Sequence, residues 1–267
     1  MEPQNMALIT GASSGIGAVF ARQLAARGYN LLLVARRVER LTALANELEQ
    51  AHPIKAAIQV VDLADPVAVE ELARQITQLK TLILLVNNAG FGTTGPFVQN
   101  EPGSQLDMIR VHVLATVRLT HAALPGMIAR GRGAIINVSS MASLVPMPGN
   151  VTYCATKAYL TSFSQALQIE LAGTGVQVQA LCPGFTHTEF HSTMAADHYD
   201  HTRIPDWMWM PADEVVAGSL RALERGRVVY IPGVRNRLLA ALIHLAPIAL
   251  QQWVFKQQMS QIARLLP

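Results

Sequence analysis

The sequence predicts an α/β protein: a doubly wound parallel β-sheet of about seven strands, with helices on both faces and a helical C-terminal extension. Three observations carry this prediction. Short aliphatic runs alternate with longer stretches of helical periodicity. The runs are almost continuously apolar, as strands covered on both faces require. A glycine-rich turn follows the first run, at the point where a helix should begin.

The elements follow in order. "MALIT" (Met6–Thr10) is the first strand and "NLLLVA" (Asn30–Ala35) the second. Strands then fall at Ala56–Asp62, Thr81–Asn87, Gly133–Ser139, Val176–Cys182 and Arg227–Pro232. Helical patterns occupy Val38–Glu49, Pro66–Leu79, a single long stretch Ser104–Arg130, and Tyr153–Ala172. A last helix follows Pro211, with acids in its first turn and Gly226 past its end, which is the usual punctuation of a helix. No internal repeat or linker interrupts the pattern, so residues 1–267 read as one domain.

Two stretches leave the alternation. Residues 189–210 carry few periodic apolar positions, several His and Asp residues, and then "WMWM". They follow the sixth strand, at the sheet edge where loops cover ligands, and read as a substrate loop. Glu189, His191, His198 and His201 lie there without a helical His pair, so no metal site is expected. In the tail, 237–266, "LLAALIHLAPIAL" (Leu238–Leu250) is 13 residues long and holds Pro247. That is too short for a membrane span, which needs roughly 20 apolar residues. Packing on its own domain or a second subunit, or peripheral contact with a membrane surface, remain the readings for it.

Composition narrows the partners. Half the 267 residues are hydrophobic, 15% are charged, and the net charge is +3 without any Lys/Arg run, so no nucleic-acid partner is indicated. "MALIT" runs straight into the glycine turn with no charged-then-apolar leader. Cys154 and Cys182 fit neither a disulfide framework nor a zinc site. A cytoplasmic protein acting on a small molecule is the expectation.

"LITGASSGIG" sets Gly11, Gly15 and Gly17, with Ser13, Ser14 and Ile16 between them, directly after the first strand. Glycine permits the tight turn and lets backbone N–H groups approach a pyrophosphate, whose charge the following helix N-terminus favours. In an NAD site an acid at the end of the second strand accepts from the ribose hydroxyls. Here Ala35 is followed by Arg36 and Arg37. Arginine holds a 2′-phosphate that a carboxylate would repel, so NADP(H) is the expected cofactor.

Further motifs stand in order: "NNAG" (Asn87–Gly90), Ser140, "YCATK" (Tyr153–Lys157) and "PGFTHT" (Pro183–Thr188). With the glycine turn, they make the chain resemble the short-chain dehydrogenase/reductase family over about residues 6 to 190. The phrasing is most similar to a bacterial branch whose substrates are often unassigned. The resemblance implies a Rossmann-type fold and a homodimer or homotetramer paired through the helices at Ser104–Arg130 and Tyr153–Ala172. It implies that Asp62 accepts from the adenine amino group with Leu63 beside the ring, and that Asn88, Ala89 and Gly90 line the cofactor. Pro183, Gly184, Thr186 and Thr188 would hold the nicotinamide and its carboxamide, and Ser140 would bond the substrate oxygen.

The chemistry also follows from residue types. Reducing a carbonyl needs a proton on its oxygen, which a tyrosine phenol can give. An unperturbed phenol, with a pKa of ~10, takes that proton back too readily for the reverse reaction. A nearby ammonium lowers that value, and Tyr153 and Lys157, four residues apart, share one helix face. Both would also touch the nicotinamide ribose. Phe91, Met141, Val145, Met147, Phe185 and the stretch from Trp207 to Met210 are the expected apolar pocket, suited to an aliphatic, aryl or fused-ring ketone or aldehyde. The reading is an NADP(H)-dependent carbonyl reductase, reversible as an alcohol dehydrogenase. The alternatives are a 3-oxoacyl thioester reductase and a non-catalytic NADP-binding regulator.

His112 is the departure. Where the family usually carries an asparagine that holds a water at the catalytic lysine, this chain reads "MIRVHVLATV". It is either a core histidine bonded to a backbone carbonyl or a substitute that adds pH sensitivity to the proton path.

Overall fold

The computed structural model describes residues 5–190 and 204–247. Its centre is a seven-stranded sheet of β1 (Met6–Thr10), β2 (Asn30–Ala35), β3 (Ala56–Val60), β4 (Leu82–Asn87), β5 (Gly133–Val138), β6 (Val176–Leu181) and β9 (Val229–Tyr230). The spatial order is β3-β2-β1-β4-β5-β6-β9 and every pairing is parallel. A parallel sheet covered on both faces is why the strands read as apolar runs rather than alternations.

Helices α1 (Gly15–Ala25), α2 (Val38–Ala51) and α7 (Ala212–Glu224) cover one face around Phe20, Ile9, Leu33 and Val216. On the other, α3 (Pro66–Gln78) and α5 (Thr116–Ala129) pack around Leu8, Leu72, Leu85 and Met127, with Leu167 and Leu171 at the end of the α6 helix (Val151–Glu170). Local chemistry sets several boundaries. Asp65 caps α3, its carboxylate accepting from Val67 N–H at 2.8 Å with Pro66 in the first turn. The order reverses between β1 and β4, so the loops leaving their carboxyl ends diverge and open a crevice.

Three expectations need correction. The stretch Ser104–Arg130 is not one regular helix: α4 (Pro102–Ile109) passes through a π turn, Arg110–Ala115, into α5. A π turn widens the helix by one residue, and such turns gather at functional sites. Here it carries His112, which is 1% exposed. The seventh strand of the sheet shrinks to Val229–Tyr230, because only these residues pair with β6. The segment after β6 also has an ordered base: β7 (Thr186–His187) pairs in parallel with β8 (Met210–Pro211). Two-residue strands have no periodicity for a sequence to display.

The expected substrate loop is described only at its ends; His191, His198 and His201 lie outside the described residues, as does the tail beyond residue 247. The described part of the tail is α8 (Val234–Leu245), which exposes Leu238, Leu242 and Leu245. Among the described residues no helix is long and apolar enough to cross a membrane.

A buried polar chain ties the middle of the sheet to its helices. Asn87 Nδ2 donates to Asn137 Oδ1 at 2.8 Å and to Thr120 on α5 at 3.1 Å, and Asn137 Nδ2 donates to Ser164 Oγ on α6 at 2.9 Å. Replacing Ser164 by Ala strands the Asn137 amide in a dry core and is expected to cost about 1–3 kcal/mol in urea unfolding.

Candidate active site

The glycine turn is built by contacts as much as by conformation. Gly11 takes a left-handed φ of 66°, and a β-carbon there would sit 2.8 Å from Ala89 Cα and from Asn88 Nδ2. The turn is therefore pressed against the loop after β4. Thr10 joins the two: its hydroxyl accepts from Asn88 N–H at 2.9 Å and Ala89 N–H at 3.0 Å, and donates to Val86 O at 3.3 Å. Asn88 Nδ2 donates to Thr10 O at 2.9 Å and Gly11 O at 3.2 Å. Asn88 thus holds the turn's backbone in place. Thr10 opens the motif Thr10–Gly17, and this bracing role follows only from the fold.

This cradle fits a dinucleotide. It combines a turn with no room for side chains, the α1 N-terminus at Gly15, and cations at the end of β2. Ser13, Ser14, Gly15, Ile16 and Gly17 would hold the pyrophosphate. Arg37 Nη2 donates to Ser14 Oγ at 2.7 Å and Ser13 Oγ at 3.0 Å, and its Nη1 reaches Glu189 at 3.1 Å. Arg36 diverges toward Asp62, 3.9 Å away and largely exposed. Asp62 also accepts from Ala64 N–H at 3.0 Å, while Leu63 is buried in the core. Thr188 packs against Gly15, whose β-carbon would fall 3.2 Å from Thr188 Cβ, so the "PGFTHT" loop closes on the glycine turn. Within that loop Pro183 O accepts from Met141 N–H at 2.9 Å, Thr186 Oγ1 donates to Gly184 O at 3.1 Å, and Gly184 is backed by Asn236.

At the centre stand Ser140, Tyr153 and Lys157. Ser140 Oγ accepts from Ala142 N–H at 3.1 Å. Lys157 is buried, with Nζ 5.6 Å from the Tyr153 ring centroid and donating to Val138 O at 2.8 Å. Burial lowers its pKa from 10.5 to about 8, because an ammonium out of water is disfavoured.

His112 bonds on both sides. Its Nε2 accepts from Phe91 N–H at 3.1 Å, and Nδ1 lies 2.9 Å from Thr156 Oγ1, which in turn donates to Tyr153 O at 2.9 Å. An Nε2 that accepts is bare, so the neutral ring carries its proton on Nδ1. Burial, and then the charge of Lys157, hold its pKa well below the usual histidine value. The expected titration near neutrality is therefore corrected: protonation would strip Phe91 N–H of its acceptor and set two cations side by side in a dry site. Neither partner is a backbone carbonyl. With both nitrogens committed, His112 is a positioning residue. It is also why Gly90 must be glycine: a β-carbon there would meet His112 Nε2 at 2.7 Å.

Among the pocket residues, Phe91 packs edge-on to His112 at 6.0 Å, and Val145 is buried, while Met141 and Met147 are half-buried. Phe185 meets Trp209 at 5.5 Å, while Trp207 is 61% exposed with the Arg235 guanidinium 5.7 Å from its ring centroid. Phe190, not expected from the sequence, lies 5.8 Å from the Tyr153 ring.

A dinucleotide cradle beside a Ser–Tyr–Lys cluster defines an oxidoreductase of the Rossmann type. The family described as short chain dehydrogenase matches residues 5–198, and the chain belongs to it. It is 40% identical over 197 residues to a sulfoacetaldehyde reductase of Chromohalobacter salexigens, covering 70% of this chain and 74% of that protein. It is 35% identical to an inactive hydroxysteroid dehydrogenase-like protein of Pongo abelii, covering 68% of this chain and 56% of that protein. A short-chain dehydrogenase from Sphingobium yanoikuyae, solved in complex with NADPH, superposes with a TM-score of 0.82 at 35% identity, over 89% of this chain and 91% of that one.

Two predictions follow from the buried groups. The unfolded chain binds more protons than the folded one between the Lys157 value of about 8 and the ordinary 10.5. The burial penalty is full below that window, and stability rises with pH through it. Relative to Lys157→Met, the wild type should gain roughly 3 kcal/mol in unfolding free energy across the window. For His112→Asn, the pH–rate profile should keep the inflections of the wild type, since no imidazole titration contributes to them.

Proposed function

We propose that the protein is an NADP(H)-dependent carbonyl reductase, reversible as an alcohol dehydrogenase, acting on an apolar ketone or aldehyde. The observation that carries the reading is the buried Lys157 ammonium against the Tyr153 ring, at the mouth of the glycine cradle. Arg37, joined to both serines of the turn, supports the phosphorylated cofactor, as does the NADPH complex of the Sphingobium relative. Apolar side chains around the site support an apolar substrate, and the reductase name of the Chromohalobacter relative supports a carbonyl.

When bound, the cofactor supplies the hydride that adds to the carbonyl carbon. Ser140 donates its hydroxyl proton as a hydrogen bond to the substrate oxygen. Tyr153 transfers its phenolic proton to that oxygen as negative charge develops there, and the Lys157 ammonium stabilises the phenolate left behind. Alcohol oxidation runs the same proton back to Tyr153. The Thr156–His112 link holds the backbone carbonyl of Tyr153 and so the start of its helix.

The open groove lined by Val113 and Leu114 of the π turn, Val117, Arg118 and His121 of α5 and Tyr159 of α6 supports pairing of two copies through these elements. One relative carries the name inactive hydroxysteroid dehydrogenase-like protein; Ser140, Tyr153 and Lys157 are all present in this chain. NADPH oxidation against a panel of ketones and aldehydes tests the reading. Turnover that Tyr153→Phe lowers by about 10² or more supports it; tight NADPH binding with no oxidation on any substrate would mean a nucleotide-binding regulator instead.

A further inference from the structure

The cations at the end of β2 are engaged by an anion from a distant part of the chain. Arg40 Nη1 lies 2.6 Å from Glu189 Oε1 and 2.7 Å from Oε2, and Arg37 Nη1 lies 3.1 Å from Oε2. These contacts bridge about 150 residues of sequence. Arg37 turns its other edge to the Ser13 and Ser14 hydroxyls. Two guanidiniums and two hydroxyls therefore converge beside the glycine turn, with the Glu189 carboxylate seated among them. Arg36, adjacent in sequence, faces Asp62 instead and takes no part.

We propose that Arg40 is a second guanidinium ligand of the cofactor 2′-phosphate beside Arg37, and that the Glu189 carboxylate is a built-in competitor for this subsite. The proposal rests on the NADP(H) reading above and specifies how the nucleotide is discriminated. The position is right for it, since the end of β2 in this topology borders the adenosine ribose. The chemistry is right as well. A phosphomonoester offers three oxygens and close to two charges where Glu189 offers two oxygens and one, so it is the stronger partner for paired guanidiniums.

NADH brings nothing to displace Glu189, and the arginines stay neutralised when it binds. NADPH must expel the carboxylate and gives back part of its binding energy in doing so. Preference for NADPH is thus a difference between two anions on the same cations. The Arg37, Arg40 and Glu189 side chains are all near half exposed, so the competition is modest and weakens in salt.

The test is equilibrium titration of NADPH and NADH, read by nucleotide fluorescence at low ionic strength, without substrate. Glu189→Gln keeps the shape and removes the charge; it should tighten NADPH by about three- to tenfold and leave NADH within about twofold. Arg40→Ala should weaken NADPH by about tenfold and spare NADH. If the wild type prefers NADPH and Glu189→Gln leaves that preference where it was, or tightens both nucleotides equally, the competitor role is wrong while the cofactor reading stands. If Arg37→Ala, Arg40→Ala and Glu189→Gln all leave NADPH affinity unchanged, the phosphate is held elsewhere and both fall.

Discussion

The imidazole of His112 is gripped from two directions, by Phe91 N–H on Nε2 and by the Thr156 hydroxyl on Nδ1. Each partner belongs to a different part of the site. Phe91 follows the "NNAG" loop that braces the glycine turn, Thr156 sits on α6 with Tyr153, and the ring itself projects from the π turn between α4 and α5. The loop beside the glycine turn, Tyr153 and the helix behind them are therefore tied to one another through one side chain. A buried ring with both nitrogens satisfied is rigid, whereas loss of either bond leaves an unpaired polar group in a dry site.

Charge explains why the ring must be neutral. Lys157 is buried close by, and its ammonium already bears the cost of desolvation. That buried charge lies 5.6 Å from the Tyr153 ring centroid. A second cation at His112 would oppose it. The tautomer forced by Phe91 N–H places the proton on Nδ1, away from the loop and toward α6. A single polar residue in an apolar helix is thus part of the electrostatic design of the site.

The sheet, its order of elements and the Ser140–Tyr153–Lys157 cluster were legible because each has a periodic or spaced signature: apolar runs, a glycine turn after a strand, and an i,i+4 pair. The π turn was not, since an extra residue in a helical turn leaves the apolar pattern nearly unchanged. The β7–β8 ribbon was too short to show a period. The ion pair of Glu189 with Arg37 and Arg40 spans most of the chain and follows from topology alone. Trp207 and Trp209 are interchangeable in composition, and only the fold turns Trp209 toward Phe185. His112 stood out as anomalous in the sequence, but its protonation state depends on an N–H from a loop 21 residues earlier.

The most direct test is the nitrogen NMR spectrum of the His112 imidazole, followed from about pH 5 to about pH 8. The structure predicts a protonated Nδ1, a bare Nε2 and a midpoint well below the ordinary histidine value. A midpoint near the ordinary histidine value, or a proton on Nε2, would contradict it.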